Sequence, residues 1–276
     1  MNFWCNVLRI LDAEMTTPTM YGWFHILFFV LSIAACVLLC FLYKKGYIRN
    51  VRRVVLIVAI TVIVLEIYKQ INYSFSYENG ISFDYQWYIF PWQFCSTPMY
   101  IGLLAGLTKG KFHDFMCCFL ATFAVFAGAA VMFYPESVFI STIGINIQTM
   151  VCHGSMITVG IFLYYTNHVK AEFKTLFKAV PVFAGCVTIA VILNEVGYAV
   201  GLTEDHFFNM FYISRHEDGH LPVYSSIQGV VPYPWCLIIY IIGFTAAACV
   251  ILLIAMGLKK LGAVISKKSS TKTIEE

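Results

Sequence analysis

Seven long apolar segments, separated by short polar loops, constrain this 276-residue chain more than any other feature of its sequence. A segment needs about 20 mainly apolar residues to cross the hydrocarbon core of a bilayer. All seven reach that length, and the whole chain is 60% hydrophobic and only 12% charged. The predicted spans are Tyr21–Tyr43, Val54–Tyr73, Trp87–Leu107, Phe112–Met132, Ile143–Tyr165, Leu176–Val200 and Pro234–Leu258. We therefore predict an all-α membrane protein whose seven-transmembrane-helix bundle occupies residues 21–258.

The distribution of lysine and arginine predicts how this bundle is oriented. Basic residues concentrate in the first, third and fifth connections and in the C-terminal tail, whereas the alternate loops are acidic or histidine-rich. Cytoplasmic loops carry the excess of basic residues in membrane proteins. The pattern predicts an outside N-terminus and a cytoplasmic C-terminus, in a multi-pass protein of a bacterial plasma membrane. A single membrane domain is expected, with residues 1–20 as an interfacial helical segment and residues 259–276 as a basic cytoplasmic tail.

Polar residues inside the spans fall at similar depths. A helix rises about 1.5 Å per residue, which puts Cys95 roughly 10 Å below the outer surface and His153 at a similar level. Ionisable residues within membranes are rare and usually face the bundle interior or a cavity. The sequence therefore predicts a polar cavity in the outer leaflet above an apolar floor. The residues of this layer are His25, Glu66, Lys69, Cys95, His153 and Asn194.

The stretch PWQFCSTPMY is unusually polar for the start of a membrane helix. Its Cys95 differs from most of the ten cysteines, which lie in smooth apolar runs and are expected to pack as small hydrophobic residues. A desolvated thiol needs a base to become a nucleophile, and His153 is the only histidine deep within a predicted span. A cysteine–histidine pair fits acyl transfer through a thioester. The alternative is that Cys95 packs and His153 makes one structural hydrogen bond.

Other motifs support no further chemistry. The segment HEDGH, residues 216–220, matches the zinc-protease pattern, but that chemistry requires a helix. Gly219 lies inside the motif and Pro222 follows it, so a solvated loop without metal is expected. The last span has no lysine, which excludes a retinal linkage. Gly102 and Gly106 are expected to form a close-packing helix surface.

An ordered set of short motifs resembles the YwaF-like family of integral membrane proteins, which includes the mammalian transmembrane protein 164. The set is Pro91-Trp92-Gln93-Phe94-Cys95, then His153, Asn194 and Pro232-Tyr233-Pro234-Trp235. The resemblance implies an intramembrane lipid enzyme. The mammalian relative is regarded as a cysteine-dependent acyltransferase that forms ether phospholipids. Carried over by position, Cys95 would be the nucleophile and His153 the base, while Gln93 stands where many relatives have histidine.

These observations give one leading hypothesis: an acyltransferase or lipid-ester hydrolase acting on phospholipid and lysophospholipid. Glu66 either orients His153 or balances Lys69. No cofactor, metal or nucleic-acid partner is expected, and the oligomeric state stays open. Candidates for supporting the reaction are Gln93, Ser96, Asn194 and Glu66, and candidates for contacting substrate are His25, Lys69 and Trp235.

Two hypotheses of other classes use the same polar layer. A transporter or small-ligand binding protein would use Glu66, Lys69 and Glu195 and would need no nucleophile. A non-catalytic membrane scaffold would use the polar residues only to hold its helices together.

Overall fold

A computed structural model describes residues 3–78, 80–218 and 221–272 of the chain. The last residues of the predicted tail, 273–276, therefore lie outside the described residues. A two-stranded antiparallel sheet, β1 (Phe75–Ser76) and β2 (Ser82–Phe83), interrupts an otherwise helical protein. The helices are α1 (Phe3–Leu11), α2 (Trp23–Lys44), α3 (Val51–Ser74), α4 (Thr97–Leu107), α5 (Gly110–Ala121), α6 (Phe123–Phe133), α7 (Ile143–Tyr165), α8 (Phe173–Ala199), α9 (Leu202–Asp205), α10 (Pro222–Ile227) and α11 (Tyr233–Lys272).

Within the described ranges, six helical stretches are long and apolar enough to cross a membrane. They are α2, α3, α5 together with α6, α7, α8 and the first part of α11. The bounds of α7 coincide with the predicted span. The break between α5 and α6 lies at Thr122, whose backbone leaves helical geometry and whose hydroxyl donates to the carbonyl of Cys118 at 2.7 Å. The protein is a multi-pass integral membrane protein.

The predicted third span, Trp87–Leu107, is wrong as a continuous helix. Only α4 is α-helical there, and its 11 residues extend about 17 Å, roughly half of the hydrocarbon core. Phe90 leaves helical geometry (φ −46°, ψ 130°), and the following proline favours this, because it disfavours helical geometry at the residue before it. Pro98 stands in the first turn of α4, where its missing N–H costs nothing. The two prolines thus confine the helix to the second half of the segment.

The irregular chain and α4 together nevertheless run along the length of α3. The guanidinium of Arg52 donates to the carbonyl of Thr108 at 3.2 Å, just after α4 ends. Near the other end of α3, the amide of Gln70 donates to the carbonyl of Ile89 at 2.9 Å. Arg52 and Gln70 are separated by roughly 27 Å along the helix. The chain from Ile89 to Thr108 therefore covers almost the full height of α3.

Helix α7 lies at the centre of the bundle and packs against α2, α3, α5 and α6. Its buried residues include several polar ones, which a lipid-facing helix could not accommodate. Among them are Asn146, Gln148, Thr149, His153 and Thr158. The central position of α7 explains why it carries so much of the polarity of the bundle.

The N-terminal segment is tied across the ends of α3 and α7. After α1, which has no buried residue, the carbonyl of Leu11 accepts a hydrogen bond from the hydroxyl of Tyr68 at 2.7 Å. The hydroxyl of Thr142 donates to the Asp12 carboxylate at 3.2 Å. Backbone N–H groups of Met15 and Ile143 donate to carbonyls of the opposite segment. The segment between α1 and α2 therefore covers the end of the bundle where α3 finishes and α7 begins.

The expected packing surface on the third segment is confirmed and lies within the molecule. A Cβ atom added at Gly102 would lie 3.1 Å from the Cβ of Ala59, and one added at Gly106 would lie 2.6 Å from the Cβ of Leu56. The two glycines therefore allow α4 to pack closely on α3.

Gly106→Ala is expected to lower the thermal stability of the detergent-solubilised protein. The added methyl group has no room beside Leu56, and overpacking typically costs about 1–3 kcal/mol. The matched control is Gly185→Ala on α8, where a Cβ would meet nothing within 4 Å. Thermal denaturation of both variants is the measurement. Equal melting temperatures for the two would contradict the close contact of α4 with α3.

Candidate active site

A polar cavity of about 260 Å³ lies between α3, α7 and the irregular chain that precedes α4. Four groups of polar side chains line it, each contributed by a different part of the fold. They are Glu66 and Lys69 from α3; Gln93, Cys95 and Ser96 from the irregular chain; Gln148, Thr149, Cys152 and His153 from α7; and Tyr212 from the loop before α10. The cavity reaches the protein surface beside the exposed residues Tyr88 and Ser137.

His153 belongs to the wall of this cavity and has one buried ring nitrogen, unpaired among the described residues, which makes no hydrogen bond to Cys95 in the structure. Its Nδ1 lies 2.7 Å from the carbonyl oxygen of Thr149. A carbonyl only accepts, so Nδ1 carries the proton and the neutral ring keeps a lone pair on Nε2. The residue is 6% exposed, and its Nε2 has no hydrogen-bond partner within the described part of the chain. An unpaired buried polar atom is costly, so an acceptor nitrogen left open at a cavity wall is available to take a proton.

Close helix packing holds the backbone of His153 in place. A Cβ atom added at Gly128 on α6 would lie 2.6 Å from the carbonyl oxygen of His153. Helices α6 and α7 therefore approach each other at the level of this histidine, and the imidazole rests on a rigid part of the bundle.

Cys95 lies on the irregular chain, two residues before α4 begins. The Ser96 side chain lies next to its sulfur, and both charges of the Glu66–Lys69 pair lie within Coulombic range of it. The charge of Lys69 also acts on His153. The Glu66 carboxylate, 2.9 Å from the ammonium, offsets much of this positive charge. The thiol and the imidazole thus share one cavity and one nearby cation.

The Glu66 carboxylate pairs with Lys69 and makes no hydrogen bond to His153 in the structure. The Lys69 ammonium lies 2.9 Å from one carboxylate oxygen and 3.1 Å from the other. The amides of Gln70 and Gln148 add donors at 2.8 and 3.3 Å. Buried charges are stable when they are paired and hydrogen-bonded in this way. Of the two predicted roles for Glu66, balancing Lys69 is the one the contacts support, and Thr149 orients the histidine.

Gln93 and Asn194 hold a loop in place. The side-chain amide of Asn194 donates to the carbonyl of Met210 at 3.1 Å and its oxygen accepts the Met210 N–H at 2.7 Å. In the same way, Gln93 donates to the carbonyl of Asn209 at 3.0 Å and accepts the N–H of Phe211 at 2.9 Å. The oxygen and one N–H of each amide are therefore occupied by the loop, and of the two residues only Gln93 lines the polar cavity.

The loop that these amides hold has a strained backbone. Phe211 and Tyr212 have φ values of 58° and 56°, in the left-handed region that bulky residues rarely adopt. Such geometry costs about 1–3 kcal/mol and persists only where the surroundings impose it. The clamp by Gln93 and Asn194 supplies that constraint, and its result is that Tyr212 lines the cavity opposite α7.

Several cavity residues were missed by the sequence reasoning, among them Gln148, Thr149, Cys152 and Tyr212. Tyr212 lies in a loop whose path no sequence pattern predicts. Cys152 lies inside an apolar run, where the sequence favours simple packing. It is nevertheless buried beside His153 and close to the Gln148 amide, 3.4 Å from its sulfur. The one sequence feature that could have identified Cys152 as a cavity residue is its position directly before His153.

His25 and Trp235 do not line the polar cavity. His25 is 2% exposed, donates from Nε2 to the carbonyl of Met132 at 2.8 Å and accepts the N–H of Tyr21 on Nδ1 at 2.9 Å. It therefore joins the start of α2 to the end of α6. Trp235 is 62% exposed at the start of α11, a position suited to contact with lipid rather than with a bound substrate.

Glu195 is separated from the polar cavity as well. Its carboxylate accepts hydrogen bonds from Arg215 at 2.8 Å and lies 3.2 Å from His216 Nε2. The bond to Glu195 raises the pKa of the Arg215 guanidinium, and His216 stacks on Tyr198 with ring centres 3.7 Å apart. The first histidine of the HEDGH motif is thus part of a loop-to-helix ion pair. Gly219 and His220 lie outside the described residues.

Comparison with known proteins identifies one family. A family model described as the TMEM164 family matches residues 20–256, which covers six of the predicted spans, all but the last two residues of the seventh, and every residue of the polar cavity. No curated protein matches the chain, and no solved structure matches it.

Asn194→Leu is expected to release the loop at 209–212 and to speed hydrogen exchange of its backbone amides. The substitution leaves the buried N–H of Met210 unpaired, at a cost of about 1–3 kcal/mol, and leaves its carbonyl with only the N–H of Ile213 as donor. The matched control is Thr188→Val on the exposed side of the same helix, where the hydroxyl bonds only to its own helix. Hydrogen exchange followed by mass spectrometry is the measurement. Unchanged exchange at Met210 and Phe211 in Asn194→Leu would rule out the clamp.

Proposed function

The chain belongs to the TMEM164 family, and from that premise we propose that it transfers acyl chains between membrane lipids through a thioester on Cys95. The observation that carries the proposal is the open Nε2 of His153 in the wall of the cavity that Cys95 also lines. A thiol and a fixed neutral imidazole facing one cavity are the two groups that cysteine acyl transfer requires.

The first half-reaction transfers the acyl group to sulfur. His153 Nε2 takes the thiol proton as the Cys95 sulfur attacks the ester carbonyl carbon. Burial disfavours a free thiolate, so proton removal accompanies attack. The carbon–oxygen bond to the glycerol backbone then breaks, and the imidazolium returns its proton to the departing alkoxide. The products are an acyl-cysteine and a lysolipid.

The second half-reaction repeats these steps with an incoming hydroxyl group. His153 Nε2 takes the proton of a lysophospholipid hydroxyl, whose oxygen attacks the thioester carbonyl. The carbon–sulfur bond breaks and the sulfur regains its proton from the imidazolium. Water in place of the lysolipid gives hydrolysis, so the accessibility of the cavity to water decides between transferase and hydrolase.

Each tetrahedral intermediate carries a negative oxygen that needs hydrogen-bond donors. We assign this role to the hydroxyl groups of Ser96 and Tyr212, supported by the charge of Lys69, because all three line the cavity beside Cys95. Gln93 and Asn194 act one step further away, by holding the loop that carries Tyr212. This replaces the direct oxyanion role that the sequence suggested for them.

The size of the cavity limits how a lipid binds. A volume of about 260 Å³ lies just below the range of about 300–1,000 Å³ typical of small-molecule pockets. It holds the ester group and its neighbouring atoms but not a whole phospholipid. The acyl chains would remain in the bilayer and the head group would lie near Tyr88 and Ser137, where the cavity reaches the surface. Lys69 is the candidate to attract the phosphate, although Glu66 already neutralises much of its charge.

We also propose seven membrane crossings with the cavity facing outwards. The chain from Ile89 to Thr108 follows α3 over almost its full height, which supports counting it as a crossing despite its irregular half. Non-helical backbone at membrane depth is tolerated where protein surrounds it or where it lines a cavity. The basic loops then lie on the cytoplasmic side, as the positive-inside rule requires, in the plasma membrane of a bacterium.

A ligand-binding protein or transporter remains the second candidate. The observation that favours it is the buried Glu66–Lys69 pair in the cavity wall, since charged groups within membranes often mark ligand or ion sites. Glu195 lies apart from this pair, so the three charges do not form one site, and this weakens the transporter hypothesis.

Wild-type protein in nanodiscs containing a phospholipid with a labelled acyl chain is expected to acquire a hydroxylamine-sensitive label. Cys95→Ala should abolish the label, because no other sulfur occupies its position. The matched control is Cys152→Ala, a second cysteine in the wall of the same cavity, which should still be labelled. His153→Gln should slow labelling by at least about 100-fold, the scale of general-base assistance.

These variants also separate the two candidate functions. No label on the wild type excludes the thioester mechanism, and a label that survives Cys95→Ala excludes a thioester on Cys95. A label that is lost in Cys152→Ala and retained in Cys95→Ala would assign the reaction to Cys152 instead of Cys95. Ligand uptake that depends on Glu66 and is unaffected by Cys95→Ala would instead support the transporter.

Tyr212→Phe is expected to slow acylation by about 100-fold, the usual effect of losing one oxyanion donor, while leaving the site of labelling at Cys95. The control is Tyr88→Phe at the rim of the cavity, where only a small change is expected. Single-turnover labelling rates are the measurement. Equal rates for the two variants would remove Tyr212 from the reaction.

A further inference from the structure

A second cluster of chemically competent side chains lies away from the polar cavity, near the end of α4. His113 and Cys117 stand one turn apart on α5, and His168 reaches them from the loop that joins α7 to α8. The Nε2 atoms of the two histidines are 2.6 Å apart, and the Cys117 sulfur is 3.5 Å from His113 Nε2. All three ligand atoms lie within 4.8 Å of one another. No other such group of three occurs in the part of the chain that the structure describes.

A backbone carbonyl fixes the orientation and tautomer of His113. Its Nδ1 lies 2.7 Å from the carbonyl oxygen of Ala105 on α4, so Nδ1 carries the proton and donates it. The lone pair on Nε2 is then free to face His168, whereas the Cys117 sulfur lies beside the ring, 3.5 Å from Nε2 and 3.9 Å from Nδ1. A histidine that donates one ring N–H to a carbonyl and offers the other nitrogen is the usual arrangement of a metal-binding histidine.

The distances match a tetrahedral zinc ion with two adjustments. Sulfur and nitrogen bound to one zinc lie about 3.6 Å apart, and two nitrogens about 3.3 Å apart. The observed 3.5 Å between the Cys117 sulfur and His113 Nε2 has the required length, but the thiol must also turn from beside the ring towards the Nε2 lone pair, since its sulfur lies 3.9 Å from Nδ1. The 2.6 Å between the two histidines is shorter and must open by roughly 0.7 Å to reach the zinc geometry. His168 can make this movement because it is exposed in a loop.

The three residues of the cluster differ in how deeply they are buried, and the differences suit the entry and shielding of a metal ion. The Cys117 side chain is fully buried, His113 is half-buried and His168 is exposed. An ion can therefore enter past His168 and finish with its thiolate ligand shielded from water. Asp114 is the nearby carboxylate, but it already forms an ion pair with Lys178 at 2.6 Å and points to the neighbouring Cys118.

We propose that His113, Cys117 and His168 bind a zinc ion, with solvent at the fourth position. Two imidazole nitrogens and one thiolate are ligands that zinc prefers. Binding replaces the thiol proton of Cys117 by the metal, and the proton leaves to solvent. The bound ion joins the loop between α7 and α8 to α5, and it does so independently of the lipid chemistry proposed above.

The alternative is a direct hydrogen bond. In that case His168 Nε2 carries a proton and donates it to His113 Nε2 at the observed 2.6 Å, and Cys117 remains an uninvolved core thiol. The two arrangements differ in whether the sulfur binds metal, which spectroscopy can detect directly.

The test uses the full-length protein in detergent, stripped with chelator and titrated with Co²⁺ as a spectroscopic substitute for Zn²⁺. The expected result is one equivalent bound, with a thiolate-to-cobalt charge-transfer band and the visible bands of tetrahedral cobalt, displaced by added Zn²⁺. Mass spectrometry for metals on the untreated protein should find about one zinc per chain. The wild-type spectrum needs no variant to be informative.

Three variants locate the site. Cys117→Ser should remove the charge-transfer band. His168→Asn should weaken metal binding by about 100-fold or more, because losing a residue that only supports a metal ligand already costs about 10-fold to 100-fold. The matched control is Cys118→Ser, the adjacent cysteine outside the cluster, which should keep the band. Absence of a charge-transfer band in the wild type would overturn the proposal, as would a band that Cys117→Ser retains.

Discussion

The rest of the structure depends on one constraint, which is that every backbone polar group inside a membrane must find a partner within the protein. Pro91 and Pro98 prevent a full-length third helix, so the chain before α4 pairs only part of its backbone within itself, through short turns such as the bond from the Ser96 N–H to the Gln93 carbonyl. It is stable there because α3, α7, α8 and the loop at 209–212 surround it, with Trp92 donating to the Cys186 carbonyl and Gln93 joined to the loop. An irregular segment of this kind needs neighbours that approach from several sides, and the space left between them is the polar cavity.

The chemistry proposed for this cavity follows from which polar groups are already used. The carboxylate of Glu66 and the amides of Gln93 and Asn194 all have partners. The Nε2 of His153 has none among the described residues, and the carbonyl of Thr149 determines that this nitrogen is the basic one. A buried group left open in an otherwise satisfied network is expected to have a role. The His113 cluster follows the same logic, since the Ala105 carbonyl selects the nitrogen that faces its neighbours.

The candidate site was predictable from the sequence only in part. Reasoning from depth put Cys95, His153, Glu66 and Lys69 at one level, and all four line the cavity. The same reasoning put Asn194 and His25 there, yet neither lines it. Depth gives a position along the membrane normal but not the direction in which a side chain points around its helix. His168, 55 residues from His113, shows the same limit, because loop paths bring distant residues together without leaving a periodic signal.

The sequence by itself determined the helical membrane character, the family and the approximate positions of most long helices, because burial in lipid demands long apolar runs. It also singled out Cys95 and His153, because polar residues are rare where lipid penalises them. It did not determine the break at Thr122 or the end of α11. Only the tertiary structure decided which of the polar residues meet, that Glu66 pairs with Lys69, and that Gln93 and Asn194 hold Tyr212 at the cavity. These outcomes depend on the rotation of each helix and on the route of each loop, which are set by close packing between segments distant in sequence.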